Sequence, residues 1–158
     1  MDAHADLRHE YLDSIYNHSC VMSRVQEIAQ VIGVGIRSLS SEEKDEIKKN
    51  NHSIWFAHQM YDNPKWMAEV ITVLEPPVYL TIDVDFFDPA IMPSTGTPEP
   101  GGFFWKETLH FLKKLFSQKK VVGCDVVELA PQKGFHSADF MIARLVYKLI
   151  GFNELFSK

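Results

Sequence analysis

The sequence predicts an α/β fold, a three-layer α/β/α domain built around a mostly parallel sheet. Three observations predict it. Apolar runs of strand length alternate with segments of helical period, and the connections between them are short. The strand runs show little polar alternation, as strands buried on both faces do. Acidic residues gather where strands end, which is where ligands bind in open parallel sheets.

The first six residues, Met-Asp-Ala-His-Ala-Asp, put Asp2, His4 and Asp6 at alternate positions, a run of side chains able to converge on metal. By the sheet-end rule a strand should lead into this run, yet only one residue precedes it. Residues 7–17 have no clear period and read as an irregular loop around His9, Glu10 and His18. From Ser19, the apolar positions Val21, Met22, Val25, Ile28 and Ala29 recur at helical spacing and predict an amphipathic helix. Residues 31–36 form a short β-branched strand interrupted by glycine. Ser40, Ser41, Glu42, Glu43 and Lys44 then open a polar helix, with a hydroxyl cap and acids in its first turn.

Residues 53–57 are the next strand. Asp62-Asn63-Pro64 starts a helix with a cap and a first-turn proline, and Trp66, Met67, Val70, Ile71 and Leu74 make its apolar face. Pro76-Pro77 ends it. The central strand, residues 78–82, is followed within six residues by Asp83, Asp85 and Asp88. Such a cluster repels itself unless a cation sits in it. Alternation at the strand end sends Asp83 and Asp85 to one side, near enough to bind one ion or bridge two. The alternative is a turn begun by Asp88-Pro89 with the other two acids solvated, and the second run at the N-terminus weighs against it. The loop to Gly102 holds four prolines and three glycines and reads as one wall of a pocket. A helix over 105–116 turns Leu109, Leu112, Leu115 and Phe116 inward, with His110 on its surface. A strand spans 121–129. Ser137 caps the last helix, whose broad apolar face is Phe140, Ala143, Leu145, Val146 and Leu149, and the chain ends soon after Gly151.

A chain of 158 residues suits one domain, and 46% hydrophobic residues provide a sizeable core. A net charge of −5 with no lysine- or arginine-rich block gives nucleic acid and anionic membranes little to hold. A small cationic substrate suits it better. No apolar run spans a bilayer, and Met1 is followed by Asp and His instead of a leader's basic and apolar regions, so the expected location is cytoplasmic. Cys20 and Cys124 lie far apart in apolar segments and are expected as reduced core thiols.

Taken in order, Asp-Ala-His-Ala-Asp, Asp-Val-Asp-Phe-Phe-Asp-Pro, Ser-Thr-Gly-Thr-Pro-Glu-Pro-Gly-Gly and Asp125-Val-Val-Glu-Leu-Ala-Pro resemble the ureohydrolases, the family of arginase and agmatinase. The Pro-Glu-Pro-Gly-Gly ending and the Tyr-Asn-His-Ser-Cys-Val-Met segment around His18 look more like agmatinase. The resemblance implies two manganese ions, bridged by Asp2 and Asp83, with Asp6 completing one set of ligands and His4 and Asp85 the other. It implies that His18 moves protons, Glu128 faces the guanidinium and Thr97 lines the substrate pocket. Read without the resemblance, His18 could cap the following helix, Glu128 could pair with a surface lysine and Thr97 could only shape its loop. His9, His52, His58, His110 and His136 fit no ligand spacing.

The residue types suit the chemistry so implied, hydrolysis of a guanidino compound such as agmatine to putrescine and urea in polyamine biosynthesis. A guanidinium carbon is a poor electrophile, and a water shared by two divalent ions is acidified into a strong nucleophile. Hard carboxylates with few imidazoles favour manganese over zinc. A carboxylate such as Glu128 can accept a guanidinium in bidentate fashion, and a histidine can protonate the leaving amine. The family's N-terminal half, with its sheet strands and a ligand histidine in a Gly-Gly-x-His motif, has no match here. An inactive fragment that binds metal weakly or associates with another chain is therefore the second reading. A phosphohydrolase using Asp83 or Asp85 as nucleophile is a third, and it leaves the N-terminal run unexplained. The resemblance also implies a homo-oligomer.

Overall fold

The structure is a computed structural model and describes residues 1–156. Four strands, β1 (Ile32–Ile36), β2 (Ser53–Phe56), β3 (Val78–Asp83) and β4 (Val121–Val127), alternate with six helices. The helices are α1 (Val21–Val25), α2 (Ser41–Asn50), α3 (Ala57–Tyr61), α4 (Trp66–Val73), α5 (Trp105–Gln118) and α6 (His136–Phe156). β1 pairs with β2 and β3 with β4, both in parallel, so each pair needs a crossover through a helix.

The extended N-terminal residues lie between the two pairs and bond to both. Met1 N donates to Thr81 O at 2.9 Å and Asp83 N donates to Met1 O at 2.9 Å, the alternating pattern of a parallel ladder. On the other side Asp2 N donates to Val34 O, Ala5 N donates to Ser38 O, and His4 bridges Ser38 in parallel. The sequence reading left the first acidic run without a strand; here the run itself occupies the sheet position between β1 and β3.

The main core gathers α3 to α6 over the apolar side chains of β1 and β3, with Phe86, Phe87, Phe103, Phe111 and Leu112 fully buried. Phe86 and Phe103 stack with centroids 4.6 Å apart. A smaller cluster joins Ala5, Leu7, Ile36 and Ile47 beside α1 and α2. Gly35, at φ +93°, is required, because a Cβ there would meet the Phe86 ring at 2.5 Å.

Several local expectations are corrected. α1 stops at Val25 and the chain turns on, leaving Ile28 89% exposed, while Met22 packs on the smaller apolar cluster. Asp62-Asn63-Pro64 does not begin a helix. Asn63 accepts from Lys65 N in a turn, and α4 starts two residues after Pro64. Ser137 lies inside α6, which runs on to Phe156. The buried stripe of α6 is Ala138, Ile142, Leu145 and Leu149, while Phe140, Ala143 and Val146 are exposed. The i, i+4, i+7 geometry buries a narrower stripe than the composition suggested. Cys20 is buried as expected, but Cys124 is exposed on β4, which has a described strand partner on one side only. His110 is exposed as expected.

A Cβ on Gly102 would lie 2.4–2.6 Å from backbone atoms of Phe87 and Asp88, which have no side-chain freedom with which to yield. Gly102→Ala should therefore cost about 2–3 kcal/mol by overpacking. Gly151, within α6, has nothing within 4 Å of such a Cβ, and Gly151→Ala should add about 1 kcal/mol through helix propensity. Chemical denaturation of the two variants checks the opposite signs.

Candidate metal centre

All eight side chains singled out from the sequence, Asp2, His4, Asp6, His18, Asp83, Asp85, Thr97 and Glu128, line one cavity of about 490 Å³. Its floor is built where the N-terminal segment and β3 end side by side. Asp83 closes β3, and a single 3₁₀ turn, Val84–Phe86, carries Asp85. A turn, not strand alternation, brings the two acids together: Asp83 Oδ1 accepts from Asp85 N at 2.9 Å. Asp85 Oδ1 accepts from Ala3 N at 3.0 Å, and its other oxygen lies 2.8 Å from His4 Nδ1. Asp2 Oδ1 accepts from His4 N at 2.6 Å and lies 3.7 Å from His4 Nδ1.

Ligand atoms of Asp2, His4 and Asp85 lie within 4.8 Å of one another. These are hard oxygens with one imidazole, a donor set that fits a divalent cation such as manganese. The electrostatics of the cluster point the same way. Burial pushes Asp83 up to about 9, helped by the charges of Asp2 and Asp85, and burial pushes Asp6 up to about 7. Asp2 is raised by burial as well. Hydrogen bonding to Asp2 and Asp85 raises His4 to about 10; by distance Asp85 is the closer partner. The His4 side chain thus sits among the acids, where a metal ion would neutralise their charge.

Asp6 stands at the cavity wall with φ 52°, a left-handed conformation that is costly for a residue with a Cβ. Glu128, the residue after β4, has φ 63° and is exposed. His18 is exposed at the start of a 3₁₀ turn that Asn17 caps through Ser19 N, so His18 is not the cap. Thr97 is exposed on the proline-rich loop. Asp88 does not line this cavity: its carboxylate accepts from the N–H groups of Ala90, Gly101 and Gly102 and staples the loop shut.

Three side chains that carry the site's geometry went unassigned in the sequence. Arg37 reaches from the end of β1 and donates to Asp85 O at 2.6 Å, Glu99 O at 2.8 Å and Pro100 O at 3.2 Å. One guanidinium therefore ties the acidic turn to the loop bearing Thr97. Nothing in its sequence neighbourhood signals this. Asp125 lines the cavity and accepts from Thr81 Oγ1 at 2.6 Å and from the Tyr79 hydroxyl at 2.9 Å. Glu43 is buried on α2, and the Ser40-x-x-Glu43 spacing of a capping box was the signal that would have found it.

The sequence pattern of the Arginase family matches residues 1–151. The chain belongs to the arginase family. It is 46% identical over 154 residues to an N(1)-aminopropylagmatine ureohydrolase of Synechocystis, covering 96% of this chain and 50% of that protein. It is 36% identical to an agmatinase of Pyrococcus horikoshii over 95% of this chain and 53% of that protein. Among solved structures, the agmatine ureohydrolase of Thermoplasma volcanium superposes with a TM-score of 0.86 at 31% identity, over 97% of this chain and 53% of that one. This arginase-family chain spans about half the length of the relatives it matches. The predicted three-layer α/β/α architecture with parallel strands is that of the family.

The metal-free protein of this family member should lose stability as pH rises. His4, Asp6 and Asp83 are all raised in the folded state, so each contributes most below its unfolded value. Those contributions disappear as pH climbs through about 7 for Asp6, about 9 for Asp83 and about 10 for His4. Denaturant titrations of chelator-stripped protein between pH 5 and 9 should show a falling midpoint. A midpoint that does not change with pH would mean that these groups ionise as freely in the fold as in the unfolded chain.

Proposed function

We propose that this chain carries a manganese-dependent ureohydrolase site of the agmatinase type, which hydrolyses a linear guanidino compound to urea and a primary amine. The observation that supports it most is the convergence of Asp2, His4, Asp6, Asp83 and Asp85 on one cavity, three of them already within ligand distance of one another. In this reading Asp2, His4, Asp6, Asp83 and Asp85 would hold the two ions. When bound, the ions supply the acidification of an attacking water, which a delocalised guanidinium requires.

The protein's own groups supply the rest. Glu128 accepts the guanidinium through two hydrogen bonds and holds its carbon over the acidic floor. Its left-handed backbone turns the carboxylate off the strand direction, and such strain is characteristic of functional positions. His18, on the opposite lining, carries a proton to the departing amine, and Thr97 orients the substrate from the loop that Arg37 anchors. The many carboxylates favour a polycation, which agrees with relatives that act on agmatine and on aminopropylagmatine. Cytoplasmic location, a place in polyamine synthesis and homo-oligomeric assembly belong to the same proposal. No described helix is long and apolar enough to cross a membrane.

Purified chain loaded with Mn²⁺ should release urea from agmatine or N(1)-aminopropylagmatine, and Asp83→Asn should abolish it. The matched length, about half of each relative, favours a second reading in which the site binds metal without turnover. Urea from neither substrate, with Mn²⁺ bound, would establish that second reading for the chain by itself.

Binding of Mn²⁺ near pH 8 should also release protons, because His4 and Asp83 hold theirs in the metal-free cluster and must give them up to coordinate. Calorimetry in buffers of different ionisation enthalpy measures this. A binding enthalpy that is independent of buffer would show that these two groups give up no protons on binding.

A further inference from the structure

The peptide unit between Asp6 and Leu7 is held from three directions. Its carbonyl, Asp6 O, accepts from Met22 N at 3.0 Å and Ser23 N at 3.2 Å. Its N–H, on Leu7, donates to Glu43 Oε1 at 2.9 Å. With both ends of the peptide fixed, ψ of Asp6 is set, and this is the residue whose φ of 52° lies in the left-handed region. Glu43 is 4% exposed and comes from a different element, α2. Its second oxygen accepts from Ser40 N at 2.7 Å, and its own N–H donates to Ser40 Oγ at 3.3 Å. The bond from the Ser40 backbone N–H thus locks the rotamer of the carboxylate that reaches across to Leu7. The Leu7 side chain packs with Ile47 of the same helix, so α2 grips this residue by backbone and side chain together.

We propose that Glu43 is a positioning residue for the metal site, fixing the Asp6–Leu7 peptide plane and through it the direction of the Asp6 carboxylate. The assignment rests on the reading of Asp6 as a ligand. Groups behind a first ligand shell orient it, and their loss typically weakens metal binding by about 10–100-fold. Glu43 does this through the backbone, without touching the ion. Left-handed Asp6 has no intrinsic preference for its native conformation, so the external clamp is what keeps its carboxylate on the cavity.

The test is titration of Mn²⁺ into the chelator-stripped full chain and its variants. Asp6→Asn identifies which binding step Asp6 serves. Glu43→Ala should weaken that same step by about 10–100-fold and leave the step served by His4 and Asp85 unchanged. Glu43→Gln should fall between, because its one carbonyl oxygen can accept from either Leu7 N or Ser40 N but not from both; it also carries the test if Glu43→Ala does not fold. Ser40→Ala removes the helix cap without freeing Leu7 N–H, so it should lower the melting temperature and leave Mn²⁺ affinity unchanged. Wild-type affinity in both Glu43 variants would overturn the proposal, as would an equal loss in Ser40→Ala, which would mean that the stability of α2 is all that matters. Failure of the wild-type chain to bind Mn²⁺ would instead overturn the metal reading on which this one stands.

Discussion

The repulsion among Asp2, Asp83 and Asp85 is the constraint on which the rest of the structure depends. Buried carboxylates at one sheet end are tolerated only when something offsets their charge and satisfies their oxygens. Here the N–H groups of Ala3, His4 and Asp85 and the imidazole of His4 do so locally. Each of these donors lies on the segment that also carries the acids. The cluster is therefore self-supporting in its backbone and incomplete only in charge, which is what a cation site requires.

Around that floor the chain invests its long polar side chains in holding backbone, not in pairing with one another. Arg37 addresses the carbonyls of the acidic turn and of the proline-rich loop, Asp88 the amides of the Gly101-Gly102 turn, and Tyr61 the carbonyls of the same glycines. Glu43 addresses the Asp6–Leu7 peptide. Loops that carry function need such anchors, because they lack ladder hydrogen bonds of their own. The acidic turn and the proline-rich loop are thus tied together by the Arg37 guanidinium and by backbone bonds between residues 86–88 and Phe103.

Family membership gives this arrangement its chemical meaning, and the cavity brings together the family's motif positions from four distant stretches of sequence. Asp83 and Asp85 of the floor are buried, whereas Glu128, His18 and Thr97 stand exposed around it.

Much was legible in the sequence because period, spacing and turn chemistry are local. The strand and helix alternation, the capping box of α2 and the acids at the end of β3 follow from side-chain types within a few residues of one another. Ile28, Cys124 and the wide apolar face assigned to α6 misled for a common reason: an apolar residue is buried only if another element arrives to cover it, and that is not a local property. Asp88, close in sequence to Asp83 and Asp85, instead holds the amides of Ala90, Gly101 and Gly102. By itself the sequence determined the fold class and the family, because motif order and residue type record both. Only the tertiary structure decided that the first acidic run is itself a strand in the sheet, that Arg37 and Glu43 govern the site's shape, and that Asp6 sits in a left-handed backbone. Those facts depend on hydrogen bonds between residues as many as 82 positions apart, which no local pattern encodes.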